Sequence, residues 1–216
     1  MRDMRPLLAA SLLFFMLGSV NADDEFIEGK HFERLPVYVE PSQEGVIDVV
    51  EVFSYGCIHC YNFDPTIETW AALERENVDF RRLPAVFGKS WEPLARWFYV
   101  AEILEVSEKV HTPLFEAIHR HRLDIRDADL AARLFENLAD VDPQKFKDLA
   151  ESFEVDYRIR RDGTEARKFR VTGVPTITVG GMYKVDGAMA GSNTRMLEVV
   201  DFLIQKIRSE SIGPNE

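Results

Sequence analysis

The chain contains two cysteines, and only Ile58 and His59 separate Cys57 from Cys60. A disulfide between them closes a very small loop, so it gives little of the chain-entropy stabilisation that a structural disulfide provides. Residues i and i+3 of a helix have Cα atoms near the separation that a disulfide accepts. The spacing therefore favours a disulfide that forms and breaks during thiol–disulfide exchange.

The surroundings of the pair predict two unequal thiols. Cys57 follows an apolar stretch, residues 46–54, that is typical of a buried strand, and a helix is predicted over residues 58–76. The free N–H groups at a helix start and a protonated His59 both lower the pKa of a nearby thiol. Cys60, one turn further along, is predicted to be buried and less acidic. We therefore expect Cys57 to be the reactive thiol, Cys60 the resolving thiol, and the reduced protein the more heat-stable form near neutral pH.

A metal site is the alternative use of this segment. Two cysteines at this spacing also occur in zinc sites, but a zinc site of two such pairs needs further cysteines, and the chain has none. Cys57, His59 and Cys60 could still bind one ion together with a distant histidine. A non-enzymatic metal-binding module therefore stays an alternative, while the favoured interpretation assigns no metal to the site.

The order of the predicted elements indicates an α/β protein. Residues 58–76 form a helix that Pro65 is expected to kink, residues 193–208 form the last helix, and about eighty residues between the strands are predicted to be helical, with Trp91, Trp97, Phe98 and Tyr99 in their core. Strands are predicted over residues 35–40, 46–54, 78–83, 176–179 and 182–186. This order predicts one mixed β-sheet flanked by helices, formed by residues 23–86 and 169–216, with an α-helical subdomain inserted at residues 87–168.

The first residues have the pattern of an export signal. Arg2 and Arg5 precede an apolar run over residues 7–20, and small residues end at Ala22, so residues 1–22 are predicted to be a signal peptide that is cleaved after about Ala22. An uncleaved membrane anchor is the alternative. The chain has a formal net charge of −11, which argues against nucleic acid as a partner.

The other histidines give weaker signals. His119 and His121 alternate with Arg120 and Arg122 at a predicted helix end, where cations favour the helix dipole, so this segment is predicted to be a solvated terminus. His31 and His111 have no evident partners in the sequence.

Together, these features resemble the DsbA family of periplasmic disulfide oxidoreductases. The similarity covers nearly the whole chain after residue 22, and it is sharpest in Glu51-Val52-Phe53-Ser54-Tyr55-Gly56-Cys57-Ile58-His59-Cys60-Tyr61 and in Gly173-Val174-Pro175-Thr176. The resemblance implies a thioredoxin-like fold and a monomeric periplasmic enzyme that uses the Cys57–Cys60 disulfide without another cofactor. It also implies that folding exported proteins with free cysteines are the substrates and that a membrane protein of the DsbB type reoxidises the pair.

The resemblance further assigns roles to residues around the cysteines. It implies that Pro175 follows a cis peptide bond and that the backbone of Val174 pairs with an extended substrate. Glu51 corresponds to a buried acid that moves protons on and off Cys60, although a carboxylate in a strand could equally face water. Ile58, which would border the substrate, replaces the proline of the best-known members, so the redox potential is open. An isomerase or a reductase of the same fold stays an alternative, although isomerases of this kind carry a separate dimerisation domain, for which we find no spare sequence.

Overall fold

The fold described here comes from a computed structural model, which describes residues 26–41, 43–73 and 75–212. The predicted signal peptide, residues 1–22, lies outside these residues. None of the helices that the structure describes is both long and apolar enough to cross a membrane.

A five-stranded mixed sheet forms the centre of the fold. The strands are β1 (Glu33–Arg34), β2 (Ile47–Phe53), β3 (Val78–Pro84), β4 (Thr176–Val179) and β5 (Tyr183–Asp186). Their spatial order is β1-β5-β4-β2-β3, with β2 and β3 parallel and the other pairs antiparallel. Every residue of β2 is buried. This burial explains why five of its seven residues are apolar, because both faces of the strand are covered. The exceptions are Asp48 and Glu51, which are buried as well.

Eight helices surround the sheet within the described residues. They are α1 (Ile58–Ala71), α2 (Glu92–Ile103), α3 (Ser107–His119), α4 (Ala128–Ala139), α5 (Pro143–Ala150), α6 (Phe153–Lys168), α7 (Gly187–Ala190) and α8 (Asn193–Ile212). Helices α1 and α8 pack together and share an apolar core with the sheet. Helices α2 to α6 lie between β3 and β4 in the chain and form the inserted helical part. The division at residues 86 and 168 stays a prediction.

The helical part has a core of its own that reaches the cysteines. Trp97, Phe98 and Tyr99 are buried in it, as the sequence predicts, and Trp91 is half-buried. Cys60 belongs to the same cluster, and Cys57 packs against it. The cysteine pair therefore lies where the helical core meets the sheet.

The edge strand predicted at residues 35–40 is wrong. The strand that pairs with β5 is the two-residue β1. Beyond it, within the described residues 35–41, the N–H groups of Leu35 and Val39 alone donate to the segment before β5, at the carbonyls of Met182 and Gly181. Pro36 has no N–H group to donate, so a continuous ladder cannot form there.

The helix boundaries also differ from the prediction at three places. α1 ends at Ala71 rather than at residue 76, and residue 77 has a left-handed backbone before β3. The apolar spacing after Asp142 and Pro143 predicts one helix in which Phe153 faces inward. Instead, Ser152 caps a separate helix, α6, by accepting a hydrogen bond from the N–H of Val155, and Phe153 is 76% exposed. The short α7 was not predicted; Asp186 caps it.

Candidate active site

Cys57 occupies the position where the chain turns from the sheet into α1. It is the N-cap residue of α1, and its Sγ accepts a hydrogen bond from the N–H of Cys60 over 3.2 Å. The N–H of Cys57 donates to the Ser54 carbonyl over 3.0 Å, which holds the turn. The first turn of α1 thus directs unpaired N–H groups at a half-buried sulfur, an arrangement that stabilises a thiolate.

This environment lowers the pKa of Cys57 to about 6. The hydrogen bond from the Cys60 thiol lowers the pKa most, partial burial opposes it, and the N–H groups of Cys60 and His59 lower it further. The charge of His59 is the smallest of these effects, in keeping with its exposed position. Burial raises the pKa of Cys60 far above that of an ordinary thiol, since this residue is fully buried. The two thiols are as unequal as the sequence predicts, but His59 contributes less than expected.

The loop before β4 brings its backbone to the reactive sulfur. The peptide bond between Val174 and Pro175 is cis, as the resemblance implies. The thiol of Cys57 donates to the carbonyl oxygen of Val174 over 3.4 Å. Val174 is half-buried, Pro175 is buried, and Ile58 on the outer side of the pair is 47% exposed. An accessible sulfur thus lies beside an accessible backbone segment.

Glu51 is buried, which excludes a carboxylate that faces water, and its charge is one of the effects that raise the pKa of Cys60. The Glu51 side chain is 2% exposed and accepts a hydrogen bond from Arg82 Nε over 2.9 Å. Desolvation raises the pKa of Glu51 to about 7, although the positive charge of Arg82 opposes this. Arg82 Nη2 also lies 2.9 Å from Glu68 and 3.5 Å from Asp64, without the angles of hydrogen bonds. A carboxyl group with such a pKa can both give and take a proton at neutral pH.

His111 has two buried partners that the sequence analysis did not find. Its Nδ1 is 2.9 Å from the hydroxyl of Tyr55, and its Nε2 is 3.0 Å from Asp64 Oδ1. These contacts extend the polar group around Glu51 into the helical part. The signal in the sequence was the place of His111 on the apolar stripe of α3, between Val110 and Leu114.

The same region contains a set of metal-ligand side-chain types. Among the residues that the structure describes, Asp64, Glu68 and His111 are the group of three whose ligand atoms lie within 4.8 Å of one another. Arg82 already brings a positive charge to the two carboxylates. Cys57, His59 and Cys60 do not form such a group, so the geometry gives no support to a metal site at the cysteines.

His119 contacts both sides of the active-site segment, so the prediction of a solvated position is wrong for this residue. Its Nε2 is 2.8 Å from the carbonyl oxygen of Tyr55, and its ring stacks on Tyr61 with 5.1 Å between centroids. The following residues, Arg120, His121 and Arg122, are exposed, as predicted. The C-terminus of α3 is thereby fixed against the residues that flank the cysteines.

Comparisons with known proteins agree with this geometry. The profile of the family described as "DSBA-like thioredoxin domain" matches residues 66–198. The Thiol:disulfide interchange protein DsbA of Pseudomonas aeruginosa is 36% identical over 208 residues, which are 95% of this chain and 98% of that protein. The protein of the same name from Azotobacter vinelandii is 36% identical over 181 residues, which are 84% of each chain.

Solved structures give the same result. The crystal structure of Pseudomonas aeruginosa DsbA aligns with a TM-score of 0.83 at 37% identity and covers 88% of this chain and 98% of that one. The oxidoreductase DsbA from Xylella fastidiosa aligns with a TM-score of 0.78 at 34% identity, covering 84% and 97%. The similarity therefore extends through the sheet, the helical insertion and the cysteine segment.

Proposed function

Because the chain belongs to the DsbA family, with its thioredoxin-like fold, and is a protein thiol–disulfide oxidoreductase, we propose that it donates the Cys57–Cys60 disulfide to exported proteins that fold in the periplasm. The observation that supports oxidation of substrates, rather than their reduction, is the difference between the pKa values of the two thiols. Cys57 is accessible with a pKa lowered to about 6, whereas Cys60 is buried with a raised pKa. A stabilised Cys57 thiolate favours the reduced protein, and this makes its disulfide a strong oxidant.

The proposed reaction has two exchanges. A substrate thiolate attacks Cys57 Sγ, the Cys57–Cys60 bond breaks, and Cys60 leaves with the electron pair. A second substrate thiolate then attacks the substrate sulfur of the mixed disulfide, and Cys57 leaves as a thiolate. The substrate loses two electrons, and the protons of its two thiols pass to the solvent. The enzyme gains the two electrons and ends with a Cys57 thiolate and a Cys60 thiol, whose proton comes from Glu51. A membrane partner of the DsbB type then reoxidises the pair.

Each neighbouring residue has a part in this proposal. Glu51 donates a proton as Cys60 leaves, because a thiol with so high a pKa leaves poorly as a free thiolate, and it accepts the proton again on reoxidation. The backbone of Val174, held by Pro175, pairs with the extended substrate while Ile58 contacts its side chains. His59, when protonated, adds a positive charge beside the Cys57 thiolate. Cys57 and Cys60 themselves carry the electrons, so no further cofactor is invoked.

A redox titration of the Cys57–Cys60 pair against glutathione tests the direction of the reaction. The reference potentials are about −120 mV for DsbA and about −270 mV for thioredoxin. We expect a value nearer the first. A value near that of thioredoxin would overturn the oxidant and favour a reductase, and metal retained in stoichiometric amount after purification would favour the metal-binding module.

A further inference from the structure

The C-terminus of α3 forms one wall of a cleft that begins beside the reactive cysteine. The cleft has a volume of about 440 Å³, and Gly56, the residue before Cys57, lines it. Trp91 and Leu94 also line it. A Cβ atom on Gly56 would lie 3.1 Å from the side chain of Leu94, so glycine keeps this end of the cleft open.

The turn that follows α3 brings Arg122 into the lining of the cleft. His119 fixes the helix end against Tyr55 and Tyr61. Arg122 then takes a left-handed backbone conformation, with φ at 56°, and the N–H of Leu123 bonds back to the Ala117 carbonyl over 2.8 Å. This turn places Arg122 and Leu123 in the cleft wall.

The cleft carries one positive charge that no acidic residue balances. Three charged residues line the cleft: Arg122, Asp124 and Arg126. The guanidinium of Arg126 makes two hydrogen bonds to Asp124, at 2.6 and 2.8 Å, so these two charges offset each other. Arg122 is exposed and makes no hydrogen bond or ion pair with any residue that the structure describes. An unpaired guanidinium attracts a carboxylate and can bind it through two hydrogen bonds.

We propose that this cleft binds the residues that flank the substrate cysteine, and that Arg122 selects substrates with an aspartate or glutamate at that place. An extended polypeptide advances about 3.3 Å per residue, so residues within about three positions of a cysteine that attacks Cys57 reach the cleft. An apolar neighbour packs on Trp91 and Leu123, while the acidic one pairs with Arg122. This inference rests on the proposed function, because it names the substrates of the same site.

Matched peptides test the selection. The oxidised protein is mixed at low ionic strength with unstructured dithiol peptides that differ in one residue, Glu, Gln or Lys, at each position up to three from the attacking cysteine. Peptide oxidation is quenched with acid and followed by mass spectrometry. We expect the Glu peptide to react about two- to five-fold faster than the Gln peptide at one position or more, as a partly exposed ion pair allows.

Substitutions at Arg122 assign the effect to this residue. Arg122→Gln should bring the Glu-to-Gln rate ratio to one, Arg122→Lys should restore part of it, and Arg122→Glu should favour the Lys peptide. Arg120→Gln is the control. Arg120 lies at the same C-terminus of α3, but it pairs with Glu116 and does not line the cleft. The proposed selection by Arg122 is wrong if the Glu-to-Gln rate ratio is one in the unsubstituted protein, or if Arg120→Gln lowers this ratio as much as Arg122→Gln does. Either result leaves the proposed function unaffected. If no peptide is oxidised at all, both proposals fail.

Discussion

At the scale of single residues, the reactivity of Cys57 depends on its immediate contacts more than on its neighbour in sequence. The hydrogen bond from the Cys60 thiol lowers the pKa of Cys57 most, and the charge of His59 lowers it least. A sequence shows that His59 lies between the cysteines, but it does not show that this side chain points into water, where its field is screened.

Substitutions within the pair should therefore differ in their effect. The absorbance of the Cys57 thiolate should titrate with a midpoint near pH 6 in the reduced protein. Cys60→Ala should raise this pKa more than His59→Ser does, because it removes the hydrogen bond, and His59→Ser should make the pair a slightly weaker oxidant. The electrostatic account is wrong if His59→Ser has the larger effect, or if it leaves the redox potential unchanged.

Glu51 should make the stability of the protein depend on pH. Its pKa is raised from an ordinary value of 4.5 to about 7, so it stabilises the fold fully below pH 4.5, and this contribution is lost as pH rises through 7. Glu51→Gln removes the ionisable group, so the variant does not lose this stability as pH rises. We expect its stability relative to the unsubstituted protein to rise by on the order of 3 kcal/mol between pH 4.5 and 8, measured by urea unfolding.

Glu68, an exposed carboxylate that pairs with the same Arg82, provides the control for this measurement. Glu68→Gln removes an exposed partner of Arg82, so we expect a smaller and flatter effect across the same pH range. If the free energy of unfolding changed with pH in the same way in both variants, burial of Glu51 would not be the cause of the pH dependence.

At the scale of elements, the C-terminus of α3 connects the helical part to the active-site segment. His119 reaches the Tyr55 carbonyl and stacks on Tyr61, so it contacts residues on both sides of Cys57 and Cys60. The segment looks like a polar helix end in the sequence. The contacts of His119 with Tyr55 and Tyr61 span 64 and 58 positions of the sequence, and no local pattern indicates such a contact.

Replacing His119 by phenylalanine should separate the hydrogen bond from the stacking. We expect His119→Phe to lower the free energy of unfolding by about 1 kcal/mol, because the Tyr55 carbonyl loses its donor while an aromatic ring remains on Tyr61. Urea unfolding measures this, with His121→Phe as the control, since His121 is exposed. If both variants lost the same free energy of unfolding, the loss in His119→Phe could not be assigned to its contact with Tyr55.

The elements that the sequence predicted best are those with strong and continuous patterns. The buried strand β2, the two strands on either side of residues 180–181, and the start of α1 at Ile58 follow from apolar runs and their boundaries. The short edge strand, the separate α6 and the α7 turn were missed because they depend on a proline, a serine cap and an aspartate cap rather than on a repeating pattern.

At the scale of the whole molecule, the redox state of the pair is coupled to the stability of the fold. Cys57 lies against both the helical core and the loop before β4. A thiolate there is stabilised only in the folded protein, because the N–H groups of α1 and the thiol of Cys60 take this arrangement only after folding. The unfolded chain has an ordinary cysteine with a pKa of about 8.5.

The reduced protein should therefore melt at a higher temperature than the oxidised protein at pH 7. The pKa of Cys57 is lowered in the fold, so the stabilisation is fully present above the unfolded pKa and is lost as pH falls through about 6. We expect a difference of several degrees at pH 7 that shrinks towards pH 5, measured by calorimetry. The double substitution Cys57→Ala with Cys60→Ala should melt at the same temperature with and without reductant. A more stable oxidised form at pH 7 would contradict the proposed direction.

The order of the strands has a consequence for how a new copy acquires its structure. β4 lies between β5 and β2, and its register pairs Ile177 with Glu51. The centre of the sheet therefore closes only after the whole helical insertion has been synthesised, and such distant pairings form slowly. Until then Cys57 lacks Val174 beside it, and Cys60 lacks the packing of the helical core. For that interval each new copy is an unfolded polypeptide with two free thiols, chemically the same as the substrate that the finished enzyme is proposed to oxidise.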